Sequence, residues 1–73
     1  MYRYRVMIDL NGKQRMPPAV TRRVLIVEDD DDSREMLMEL VGLLGHRAVG
    51  APNATDALKV AKDTQPDVVL IDI

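Results

Sequence analysis

From Arg22 onward the apolar positions alternate between short unbroken runs and helically spaced sets. Val24-Leu25-Ile26-Val27 is continuous and mostly β-branched, the pattern of a strand covered on both faces of a parallel sheet. It gives way to Glu28-Asp29-Asp30-Asp31-Asp32-Ser33, which cannot continue a buried strand. The same acids suit a helix start, because they accept from free N–H groups and match the positive helix end. Leu37, Leu40, Val41 and Leu44 then recur at helical spacing, with Met36 and Leu43 widening the face, so a helix is predicted over about Asp32 to Leu44. Gly45 is placed to stop it. Arg47-Ala48-Val49-Gly50 reads as a second strand of weak propensity. Pro52-Asn53 turns the chain and caps a second helix, about Ala54 to Asp63, whose buried face is expected to be Ala54, Ala57, Leu58 and Ala61. Gln65-Pro66-Asp67 breaks that helix, and Val68-Val69-Leu70-Ile71 forms a third run ending on Asp72.

The order β-α-β-α-β implies an α/β fold with parallel strands and right-handed helical crossovers. Residues 22–73 form this unit, and residues 1–21 stand apart from it across Pro17-Pro18. Tyr2 to Leu10 loosely alternates and meets Asn11-Gly12, a hairpin signal. The return limb, Lys13-Gln14-Arg15-Met16, is polar, and an isolated hairpin is marginal in water. Residues 1–21 are therefore expected to be a weak hairpin or a tail.

Composition narrows the functional classes. The 73 residues allow one small domain, and with only Tyr2 and Tyr4 aromatic the core must be aliphatic. A net charge of −2 gives no reason to expect nucleic acid as a partner, although basic residues crowd the first 23 positions and acids crowd 28–39. There is no cysteine, hence no disulfide or thiolate chemistry. No apolar run reaches the ~18 residues of a membrane span, and the N-terminus lacks a signal-peptide core. A soluble, cytoplasmic protein without membrane contact is expected. His46 reads as an exposed turn residue, and Met36 and Met38 as packing and surface. Gly42, inside the first helix, has no functional reading. A calcium loop counted from Asp29 would need Gly and Glu where Arg34 and Leu40 stand.

Two acidic features coincide. The first buried strand ends in Glu28-Asp29 and the third ends in Asp72. Parallel strands place their C-terminal ends on one side of the sheet, so neighbouring first and third strands would bring these carboxylates into the crevice where open α/β sheets bind ligands. A like-charge pair at ~4 Å costs roughly 4 kcal/mol at an effective dielectric near 20. A cation or a retained proton relieves such a cluster. Hard oxygen donors with room for water suit Mg²⁺, which would let one aspartate act as a nucleophile toward phosphorus.

Val24-Leu25-Ile26-Val27-Glu28-Asp29-Asp30 resembles the opening strand and acid pair of response-regulator receiver domains of two-component signalling. Asp56-Ala57-Leu58 resembles their second helix, and Gln65 to Ile73 resembles their third strand with its phospho-acceptor. The resemblance covers about Arg23 to Ile73 and implies a flavodoxin-like, doubly wound parallel sheet truncated to β-α-β-α-β. It further implies that Asp72 is the phospho-acceptor, Asp29 a direct Mg²⁺ ligand and Glu28 a ligand through water. The implied donor is a phosphohistidine on a sensor histidine kinase or phosphotransfer protein. The chain is thus expected to be a phosphorelay module and not an enzyme.

The chain departs from the family by ending at Ile73. The carbonyl two residues past the acceptor, the hydroxyl of the fourth strand and the lysine of the fifth are absent, so weak Mg²⁺ binding and poor phosphorylation alone are expected. The third strand is expected to form an exposed apolar edge and to promote self-association. Three alternatives stand beside this reading. A pseudo-receiver used only for protein contact is disfavoured by the intact Glu28-Asp29-Asp72 set. The first half of another flavodoxin-like enzyme would need a glycine-rich phosphate loop where this chain is acidic. The last is a gene fragment with no independent role.

Overall fold

The computed structural model describes residues 4–9 and 21–72. Its elements run β1 (Tyr4–Asp9), β2 (Arg23–Val27), α1 (Asp31–Leu43), β3 (Arg47–Ala51), α2 (Ala54–Thr64) and β4 (Val68–Asp72). They build a four-stranded sheet in the order β1-β4-β2-β3. β2 pairs in parallel with β3 on one side and with β4 on the other, while β1 adds antiparallel to β4. The β2-α1-β3-α2-β4 core has the flavodoxin-like arrangement expected of the sequence, with strand order reversing at β2.

Strand alternation distributes the side chains to two helices. Leu25 and Ala51 are buried with Ala57 of α2, and Val27, Val49, Val60, Ala61 and Val69 pack around them. On the opposite face, Gly50 lies against Arg34 and Met38 of α1. Ile26 is fully buried in β2, an interior strand.

Local signals set the helix boundaries. Asp30 caps α1, its Oδ2 accepting from the Ser33 N–H at 2.8 Å and the Ser33 hydroxyl at 2.6 Å. At the other end the His46 N–H donates to the Val41 carbonyl and the Gly45 N–H to the Gly42 carbonyl. These two bonds form a Schellman motif, and Gly45 adopts the φ of +90° that it requires. Asn53 caps α2 by accepting from the Asp56 N–H at 2.8 Å. Gln65 ends α2 at φ 49°, a left-handed conformation that disfavours a side chain, and Pro66 prevents continuation.

Four expectations need correction. The predicted β4 edge is covered: β1 runs along it from Tyr4↔Asp72 to Asp9↔Val68. The alternating segment thus satisfies the backbone groups that were expected to recruit a second chain. β1 is a strand, but it pairs with β4, and the Asn11-Gly12 turn with its return limb lies outside the described residues.

The helix faces are also rotated from those predicted. On α1 the sheet-facing residues are Ser33, Leu37, Met38 and Val41, whereas Leu40, Leu43 and Leu44 are 48%, 84% and 75% exposed. The anchor is Arg34 and Met38 on Gly50, which turns the leucine flank outward. On α2 the inward residues are Ala57, Val60 and Ala61, while Ala54 and Leu58 are exposed. An apolar groove of about 350 Å³ runs beside Leu58 over Leu25, Val27, Val69 and Ile71. Finally, His46 is half-buried, its Nδ1 accepting from the Arg22 N–H at 3.0 Å, so it ties the start of β2 to the end of α1.

Candidate functional site

The parallel pairing of β2 with β4 places Val27 beside Ile71, so both strands end at the same level of the sheet. Glu28 and Asp29 follow β2 directly, and Asp72 closes β4. One carboxylate oxygen from each of Glu28, Asp29 and Asp72 lies within 4.8 Å of the others. Glu28 is buried, Asp29 exposed and Asp72 half-buried. The remaining acids of the run take other work. Asp30 caps α1, Asp31 pairs with Arg34, and Asp32 is exposed.

The electrostatics record the crowding. The Glu28 carboxyl is pushed up to about 7, first by burial, then by hydrogen bonding with Asp72, then by the charges of Asp72 and Asp29. A hydrogen bond from the Asp30 backbone acts in the opposite sense. At 4.8 Å a carboxylate pair repels by roughly 3 kcal/mol at an effective dielectric near 20, less where Asp29 faces solvent. Asp30 is held below the ordinary carboxylate value, chiefly by the Ser33 hydroxyl and then by the Ser33 N–H.

These residues fit a hard divalent cation. Glu28 Oε2 is buried and has no hydrogen-bond partner among the described residues. Such an oxygen carries a desolvation cost that a cation would relieve. Three carboxylates of graded exposure also offer oxygen donors while leaving one side open to solvent.

The pocket backbone is fixed from two sides. The Glu28 N–H donates to the Ala51 carbonyl at 3.0 Å, extending the β2–β3 ladder by one bond. Arg34 Nη1 donates to the Glu28 carbonyl at 2.8 Å, and Nη2 donates to Asp31 Oδ1 at 2.5 Å. The Arg34 stem crosses β3 at Gly50, where a Cβ would come within 2.9 Å of Arg34 Cδ and of Met38 Sδ. Sequence reasoning missed both residues. Arg34 entered it only as a mismatch to a calcium loop, and Gly50 only as a weak strand former. The available signal was a basic residue one helical turn into α1, facing a side-chain-free strand position.

Two curated proteins resemble this chain. It is 38% identical over 53 residues, 71% of its length, to the chemotaxis protein CheY of Thermotoga maritima. It is 37% identical over 51 residues, 70% of its length, to protein PilH of Pseudomonas aeruginosa. The matches cover 44% and 42% of those proteins, so the chain spans less than half the length of the curated relatives it matches. No family profile and no solved structure matches it. Among the described residues no helix is long and apolar enough to cross a membrane.

Proposed function

We propose that this chain carries the acid pocket of a phospho-acceptor module of the response-regulator receiver class, in which Asp72 takes a phosphoryl group, a reading that its similarity to CheY and PilH supports. The observation that carries the reading is the convergence of the Glu28, Asp29 and Asp72 carboxylates, with a buried Glu28 oxygen left unpartnered. The donor class is a phosphohistidine on a sensor kinase or phosphotransfer protein, and the setting is the cytoplasm.

In this reading an Asp72 carboxylate oxygen attacks phosphorus. The new O–P bond forms as the P–N bond to imidazole breaks, and the departing nitrogen keeps the electron pair and takes up a proton. Glu28, Asp29 and Asp72 would hold Mg²⁺, whose charge offsets that of the phosphoryl oxygens when it is bound. The family resemblance would give Asp29 a direct contact to the ion and Glu28 one through water. Glu28 in its protonated form also lowers the charge around Asp72 before a cation arrives. Arg34 holds the Glu28 carbonyl and so fixes the start of the acid pair. The module accepts the group without turning it over as an enzyme would.

The test is incubation with acetyl phosphate and Mg²⁺, read by intact and peptide mass spectrometry. The expected result is the mass of one phosphoryl group on the β4 peptide, absent in Asp72→Ala. Labelling that persists in Asp72→Ala, or none in the parent at saturating donor, would overturn the proposal.

A further inference from the structure

The end of the sheet opposite the acid pocket gathers arginines. Arg22 and Arg23 lie at the start of β2 and Arg47 opens β3, with Arg23 and Arg47 as partners in the parallel ladder. Partners in register project to the same face, so two like charges begin side by side, an unfavourable arrangement unless something offsets it. With Thr21 and Asp67 these three arginines line a cavity of about 560 Å³. That volume falls within the ~300–1,000 Å³ of small-molecule sites. An adjoining hollow of about 330 Å³ shares Arg23 and Arg47 and adds Asp63.

Positive groups outnumber negative ones in this cluster. Three guanidinium groups meet two carboxylates, Asp63 and Asp67, and Asp67 Oδ2 already accepts from the Arg23 N–H at 2.9 Å. Arg23 Nη1 donates to the Thr64 carbonyl at 3.2 Å. Arg22 is held at its backbone, its N–H on His46 Nδ1 and its carbonyl accepting from the Arg47 N–H at 2.9 Å. Its side-chain Nε, however, is buried with no partner among the described residues. A buried donor left unmet is unfavourable, and an acceptor drawn to the Arg22 side chain would offset it.

We propose that this basal cavity binds a phosphate-class oxyanion. Arg22 and Arg47 are its principal donors, and Arg23 and the Thr21 hydroxyl are at its rim. Guanidinium groups match the tetrahedral oxyanion through paired N–H donors. The volume leaves space for a small organic group esterified to the phosphate. The inference does not depend on the chemistry of Asp72, because the two sites occupy opposite ends of the strands.

The experiment is a titration of the whole chain with inorganic phosphate in the presence of a chelator. It is followed by backbone amide shifts, with sodium chloride at matched ionic strength as the reference. Saturable shifts are expected at Thr21, Arg22, Arg23, Arg47 and Asp67. Arg22→Gln and Arg47→Gln should each weaken binding by roughly tenfold, the worth of one charge-assisted contact. Lys62→Gln, outside the cavity, should leave it unchanged. Glycerol phosphate in a second arm distinguishes a free ion from an ester, tighter binding of the ester showing that the organic group is also held. Shifts that only follow ionic strength, or binding unchanged in Arg47→Gln, would overturn the proposal. Arg47 is exposed, so its substitution leaves the fold intact even if Arg22→Gln does not fold.

Discussion

Adding one methyl group at Gly50 tests how the acid pocket is braced. In Gly50→Ala the new Cβ would lie 2.9 Å from Arg34 Cδ, 2.9 Å from Met38 Sδ and 3.0 Å from Arg34 Cγ. The Arg34 stem cannot swing away freely, because its guanidinium donates to the Glu28 carbonyl and to Asp31. Relief therefore means losing one of those bonds or displacing Met38. Overpacking of this size costs ~1–3 kcal/mol. Replacing glycine at an ordinary backbone angle returns about 0.4–1 kcal/mol through the unfolded chain. The expected net loss is about 1 kcal/mol, a fall in Tm of roughly 4–8 °C for a domain of this size. Chemical and thermal denaturation of Gly50→Ala, Arg34→Ala and the double variant supply the assay. Because both changes act on the same contact, the double variant should lose less than the sum of the two. A Gly50→Ala protein as stable as the parent, or strictly additive losses, would refute the bracing role.

Other outcomes follow from the same geometry. The folded Glu28 carboxyl titrates near 7 and its unfolded counterpart near 4.5, so the fold binds this proton more tightly. Without a divalent cation, stability should fall as pH rises from about 4.5 through 7 and then level off. Glu28→Gln should flatten that profile, which melting curves in chelator across this range would record. Deleting residues 1–16 removes β1 and uncovers the β4 edge, so sedimentation should show self-association that the parent lacks; a monomeric deletion would show that the edge needs no cover. Gln65→Gly should stabilise the chain by about 0.5 kcal/mol, since glycine tolerates the left-handed φ that glutamine holds at a cost. Urea denaturation is the check.

The parallel core was readable because its signals are local and mutually consistent. Two unbroken aliphatic runs each end on acids, and a run that stops at a charge marks both the strand end and the side of the sheet on which it opens. The helix ends were nearly as plain: Asn53 and Gly45 each answer unpaired backbone groups within three residues, and the acid run supplies the first cap, which falls on Asp30, slightly ahead of the expected start near Asp32. What escaped is non-local. Periodicity gave each helix an apolar stripe but not its rotation, which on α1 depends on Arg34 and Met38 seating on a glycine of β3. The destination of Tyr4–Asp9 escaped for a related reason. Asn11-Gly12 argued for a local hairpin, whereas β4 offers this strand an apolar partner far along the chain. The roles of Arg22, Arg47 and His46 emerge only once the starts of β2 and β3 lie together.

In the proposed function Glu28, Asp29 and Asp72, the acceptor itself, hold one cation among their carboxylates. A Mg²⁺ titration following the amide signals of those three residues tests it most directly. Saturable shifts with a single common midpoint, abolished in Asp29→Asn, are expected. Shifts that do not saturate, midpoints that differ among the three, or binding indifferent to Asp29→Asn would contradict it.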